Sequence, residues 1–317
     1  MMIARSVVFL LFGGMMVLGS NVATSQDYPT KVIRILTSAP GSTNDVVARM
    51  IAQGLTGSLR QPAIVENRGT LAAELVARAE PDGHVLLFYG SSVYLLPMMR
   101  PAPYDPMKDL TPITAAVSQV TLLVVHPSLP VKSVKEFIAL AKARPGELNY
   151  GAGTLGASPH LATEQFKAMT GVNIVRVAYK GTGPSVIGLY SGEVVVMFVG
   201  MGSVEQHIKA GRLRALAVTT PKRSPLAPGL PTVGETVPGY QFVSEIGMYA
   251  PGRTPAPIIN LLHREIVRFL QNADIRERLF NNGIDVVGNT PQEFAAMIKA
   301  DVESKTKLLK LIGMLRQ

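Results

Sequence analysis

Residues 31–55, KVIRILTSAPGSTNDVVARMIAQGL, decide the fold class. KVIRILTS is short and rich in β-branched apolar residues, as a strand is. DVVARMIAQGL carries its apolar residues at three- and four-residue spacing, as an amphipathic helix does. Between them APGSTN holds Pro40 and Gly41, which break both patterns. Asp45 falls in the first helical turn, where a carboxylate suits the positive end of the helix. Strand, tight turn and helix make one βα unit. The unit recurs at PAIVENRG (62–69), GELNYGAG (146–153), NIVRVAYKG (173–181) and RLRALAVTT (212–220), without any sequence repeat. Such alternation predicts an α/β protein with largely parallel sheets flanked by helices.

The first 25 residues stand apart from this pattern. Arg5, the apolar run VVFLLFGGMMVLG (7–19) and the small-residue stretch ATS (23–25) read as a secretory signal peptide cleaved near Ser25. The apolar run is shorter than the roughly 20 residues a spanning helix needs. The expected location is therefore the periplasm. The 317 residues contain no cysteine, which excludes a disulfide framework, a thiolate nucleophile and sulfur-ligated zinc. Formal net charge is +9, and the leader removes only one basic residue, so the mature chain is strongly basic. Excess positive charge draws anions toward a pocket. The basic residues are scattered, with no base-reading motif, so nucleic acid is not expected as a partner.

A mature chain of this length commonly divides in two. Two stretches read as crossings between lobes, VTLLVVHPSLP (120–130) and YQFVSEIGMYAP (240–251). One lobe is expected from residues 26–124 with 246–317, the other from 125–245. Near the C-terminus, Thr290 and Glu293 form a capping-box signature ahead of an apolar-periodic run.

Three βα turns share one character: 38–45 (SAPGSTND), 151–160 (GAGTLGASPH) and 180–185 (KGTGPS). Each combines glycine, which lets backbone approach a ligand, with hydroxyl donors and a proline. The first amides of the following helices have no intrahelical partner and favour an anion. Two such turns in one lobe and one in the other point to an anion held between lobes. A phosphate loop of the G-x-x-x-x-G-K-[ST] type is absent. Gly151, Gly153 and Gly156 fit G-x-G-x-x-G, but the next strand ends in Tyr179 and Lys180 instead of the acid a dinucleotide site needs. Ser158 and His160 are two apart in one helical turn and do not face each other, and no nucleophile elbow surrounds Ser158. The remaining histidines, 84, 126, 207 and 263, have no metal-ligand spacing. No catalytic residue, cofactor or metal is expected.

Over nearly its whole mature length the chain resembles the periplasmic solute-binding receptors of tripartite tricarboxylate transporters, the Bug family. The resemblance is carried by PGSTNDVVARMIAQGL, VENRG, ARAEPDGHVLLF, YGAGTLGASPHLATEQF, VAYKGTGPSVIGLYSGEV, HIKAGRLRALAVTTPKRSPLAPGLPTVGE and YAPGRTPAPIINLLHREI, in that order. It implies a two-lobed periplasmic-binding-protein-like (type II) fold. It also implies a monomer that closes over a small carboxylate for uptake through membrane subunits. Carried over by position, the ligand-binding residues would be Ser38, Pro40, Gly41, Ser42, Thr43, Asn44 and Asp45. To these the resemblance adds Thr154, Gly156, Ser158, His160, Lys180, Gly181, Thr182 and Val199. Asp45 would orient its turn more than touch the anion.

The chain departs from the family at three places. Ser38 stands where an aromatic residue is usual, the stretch after Arg68 is shortened, and Val195 and Val199 replace common acids. If one of those acids answers a ligand's amine or orders pocket water, its loss implies a pocket that disfavours amino acids and prefers an apolar or aromatic acid over aspartate or citrate. The departures also leave open a receptor-fold protein that has lost ordinary binding and serves as a signalling partner.

Overall fold

A computed structural model describes residues 28–153 and 155–316. The signal-peptide reading and Thr154 lie outside the described residues. The 31–55 stretch forms β1 (Ile33–Thr37) and α1 (Thr43–Leu59) on either side of the Pro40–Gly41 turn. In α1, Val47, Ala48, Ile51, Ala52 and Leu55 are buried, the spacing of one helical face. That face packs on the sheet and on α8 (Ala256–Leu270). Gly54 permits the close approach, since a β-carbon there would lie 2.4 Å from the Phe269 ring.

The first lobe contains β1, β2 (Ala63–Asn67), β3 (Val85–Gly90), β4 (Leu110–Gln119), β10 (Ser244–Pro251) and β11 (Ile284–Val286). Their order is β11–β4–β10–β3–β1–β2. The second contains β5 (Thr121–Val125), β6 (Asn149–Ala152), β7 (Val175–Ala178), β8 (Val196–Gly200) and β9 (Arg214–Val218), in the order β7–β6–β8–β5–β9. Strands β1 to β4 run one way in the first sheet and β6 to β9 one way in the second, while β5, β10 and β11 oppose them. The two-lobed α/β architecture is therefore present and mainly parallel in strand direction. Pairing is mixed because β5 and β10, which carry the chain between lobes, run against their neighbours.

Helices cover both faces of each sheet. In the first lobe α1, α8 and α9 (Ala273–Phe280) lie on one face, and α2 (Ala72–Ala77), α3 (Ser92–Met99) and α10 (Pro291–Leu311) on the other. In the second, α4 (Val134–Ala143) and α5 (Ser158–Thr170) oppose α6 (Thr182–Tyr190) and the short α7 (Glu205–Lys209). The capping box stands at the start of α10: Thr290 Oγ1 accepts from the Glu293 amide at 3.2 Å, and Glu293 Oε2 accepts from the Thr290 amide at 2.8 Å.

The chain changes lobe at a single residue, Val120, and again between residues 219 and 243. By strand membership these points precede the 124/125 and 245/246 boundaries read from the sequence. Thr121–Val125 pairs with β8 along its whole length, and Ser244 and Glu245 already pair with β4. At the first crossing the Val120 amide donates to the Gly283 carbonyl at 3.0 Å, and the Val120 carbonyl accepts from the Met201 amide at 2.8 Å. Among the described residues no helix is long and apolar enough to cross a membrane.

Candidate functional site

A cleft of about 340 Å³ lies between the lobes, beyond the carboxyl ends of β1, β3, β6 and β8. Helices α1, α3, α5 and α6 all begin on it. Their first residues or caps line its wall: Ser42, Thr43 and Asn44; Ser91 and Ser92; Ala157 and Ser158; Gly181 and Thr182. Helix α1 is capped from within, Ser42 Oγ accepting from the Asp45 amide at 3.2 Å. Helices α3, α5 and α6 have no side-chain cap. By contrast α4, α9 and α10, which start away from the cleft, are capped by Ser133, Asn272 and Thr290. A missing cap is not confined to the cleft, since α2 and α8 also lack one, but at the three uncapped ends that do face it a ligand oxygen can take the place of the cap. Lys180 is the one charged side chain among the described residues lining it, so no carboxylate there opposes an anion.

The turns are held from behind. Asp45 is buried and turned from the cleft, accepting from the Gly41 amide and from Asn67 Nδ2, both at 2.9 Å, and pairing with Arg49 at 3.0 Å. Burial works against its charge, but these donors prevail and hold the carboxyl below its usual range. In the second turn Gly156 takes φ +76°, and a β-carbon there would lie 2.2 Å from Met99 Cε of the other lobe. The Gly156 amide donates to His160 Nδ1 at 3.3 Å. Burial, then the charge of Arg176, push the His160 imidazole down to about 4, so it is neutral and serves as an acceptor. Arg176 in turn donates to the Gly153 carbonyl at 2.8 Å. Gly153 presses against the third turn, where a β-carbon would come within 2.9 Å of the Gly181 backbone.

Residues 47–314 match the family described as tripartite tricarboxylate transporter family receptor. The chain belongs to this receptor family. It is 35% identical over 301 residues to Protein BugT of Bordetella pertussis, spanning 92% of each chain. Among solved structures, R. palustris Rpa4515 with adipate is similar at a TM-score of 0.87 and 34% identity, covering 91% of this chain and 99% of that one. MatC (Rpa3494) from Rhodopseudomonas palustris with bound malate gives 0.83 and 27%, covering 90% and 100%.

In this receptor Ser38, Ser42, Thr43, Asn44, Ser158, Lys180, Gly181 and Thr182 line the cleft. Pro40 and Gly41 sit at its outer mouth. Asp45, Gly156 and His160 lie behind the wall and shape it, while Thr154 is outside the described residues. Val199 does not belong to the site: it is fully buried in the second lobe's core against α6. Side chains alternate along β8, so Val196 and Phe198 face α5, Met197 and Val199 face the other way, and only the terminal Gly200 reaches the cleft. Val195 likewise packs against the core. The preference inferred from these two valines therefore loses its ground.

Sequence reading missed the turn after β3. Its YGSSV (89–93) has the same glycine and paired hydroxyls directly after an apolar run, which was the available signal. Tyr89 also lines the cleft and donates from its hydroxyl to the Gly69 carbonyl at 3.1 Å. Gln119, Ser244 and Ile246 arrive on the crossing strands, where no turn chemistry marks them. Ser158 Oγ pairs with Ser244 Oγ at 2.8 Å and does not meet His160. Among the described residues no group of three or more His, Cys, Asp or Glu could hold a metal ion.

Proposed function

We propose that this receptor captures a small carboxylate anion between its lobes and presents the closed complex to the membrane subunits of a tripartite tricarboxylate-type transporter. One observation carries the reading: four helix N-termini, three of them uncapped, converge with Lys180 on one cleft. A single terminus contributes about 0.3–2 kcal/mol toward an anion, whereas a micromolar complex needs about 8 kcal/mol. Convergence, with hydroxyl donors between the termini, supplies what one turn lacks. The adipate and malate found with similar receptors support the same ligand chemistry.

The ligand touches turns of both lobes and so favours the closed state, which is the state the membrane subunits read. The protein works as an exported monomer freed of residues 1–25, and it turns nothing over. Ser158 and His160 have other partners and do not meet as nucleophile and base. A cleft walled by hydroxyls and glycines, with no apolar patch in its place, favours the receptor over a signalling partner that has lost binding.

Thermal denaturation with mono-, di- and tricarboxylates, acidic amino acids and aromatic acids tests the proposal. A ligand at about 100 times its Kd stabilises the folded state by about 2.7 kcal/mol. At least one carboxylate should give a concentration-dependent rise in Tm. A flat response from folded protein would overturn the assignment.

A further inference from the structure

The cleft does not end at its polar chamber. A second chamber of about 610 Å³ opens outward from it and shares Ala39, Ser42, Lys180, Gly181, Thr182 and Ser203 with the first. It brings a different set of side chains. Beyond the shared residues its walls are Pro40 from the first lobe, Pro184, Ile187 and Tyr190 along α6, and His207. Tyr190 and His207 stack face to face with ring centroids 4.7 Å apart, 20° between planes, and present a flat aromatic rim. Ile187 is 54% exposed on the same helix, an unusual position for an isoleucine unless something covers it. No carboxylate, and no cation besides Lys180, lines this chamber among the described residues, so a second ionised group placed here would find no charged partner. The inner chamber carries apolar wall as well, from Tyr89, Pro159 and Ile246, but it is there that the uncapped amides of α3 and α5 and most of the hydroxyls are gathered.

Resting on the receptor reading above, we infer that the ligand is an elongated monoacid. Its carboxylate occupies the inner chamber, and its apolar or aromatic body lies outward past Lys180 onto Pro184, Ile187 and the Tyr190–His207 stack. Compact hydroxy-diacids would fill only the inner chamber and leave this carbon wall wet. The selectivity comes from area removed from water on the outer wall, with the inner chamber holding the anion.

Isothermal titration calorimetry with propionate, phenylpropionate, malate and adipate separates the possibilities. Phenylpropionate should bind at least about tenfold more tightly than propionate, as expected for a body that adds more than a methylene of apolar contact. It should also bind with a more negative heat-capacity change, the mark of apolar burial. Ile187→Ser and His207→Ala, both changes on the outer chamber wall, should bring the phenylpropionate-to-propionate affinity ratio toward one. Equal binding of the two monoacids, a ratio untouched by either substitution, or binding of malate or adipate alone would overturn this inference and leave the carboxylate receptor standing. Binding of none of the four would overturn this inference, and only a flat response across the wider carboxylate panel would overturn the receptor reading with it.

Discussion

His160 acts on the cleft without facing it. It is 2% exposed, and its Nδ1 holds the Gly156 amide, so the turn keeps its shape only while the ring is neutral. Its folded-state value of about 4 lies below the ordinary 6.5. As pH falls, the unfolded chain therefore takes up this proton first. The associated stability is complete above about pH 6.5 and is lost as pH drops toward about 4, amounting to about 3 kcal/mol at most. Urea unfolding at pH 7 and pH 5 should show a steeper loss for wild type than for His160→Gln, which keeps an acceptor but cannot titrate. Parallel losses would show that His160 is not the group responsible. His160 also explains why reading function from residue type misleads here. A histidine two residues from a serine suggests chemistry, yet the helix points one at Ser244 and buries the other under a glycine.

At the level of elements the βα turn is the working part, and its performance depends on how turns seat on one another. Gly153→Ala would drive a β-carbon into the Gly181 backbone at 2.9 Å, and because the obstacle is main chain, one of the two turns must move. Misplacing donors that bind by geometry should weaken carboxylate binding by about tenfold or more, against a stability change of only about 1–3 kcal/mol. Calorimetry and thermal melting on the same sample check the split, and unchanged affinity would mean the turns do not bind as a pair. The βα units around 38–45, 151–160 and 180–185 were legible because glycine, proline and hydroxyls mark a strand-to-helix turn by local chemistry alone. The same chemistry also marked Asp45, although its carboxylate is spent on Gly41, Asn67 and Arg49. Gln119, Ser244 and Ile246 left no such mark, since they reach the cleft through strand pleat and lobe crossing, which are long-range. Val199 failed for the same reason. Which face of β8 a side chain takes is set by the helices packed on either side, and α6 claims that face.

For the whole molecule, the crossings set what closure can be. One passes through Val120 alone, tied to Gly283 and Met201 by backbone bonds, and the other runs alongside it where the Thr219 amide donates to the Thr121 carbonyl at 2.9 Å. Two adjacent, bonded crossings permit rotation of one rigid lobe on the other more readily than repacking within either. Small-angle scattering should register a smaller radius of gyration with a saturating carboxylate, while far-ultraviolet circular dichroism stays unchanged. Compaction accompanied by a gain of helix would instead place the change inside a lobe. The three cleft-facing helix ends without a side-chain cap carry a cost to the empty protein, for without ligand water must serve them. An unoccupied receptor is in that sense an unfinished fold, and limited proteolysis should cut it faster at the starts of α3, α5 and α6 than the carboxylate-bound form. Its standing amount in the cell would then follow the supply of what it binds, a feedback on abundance that requires no change in gene expression.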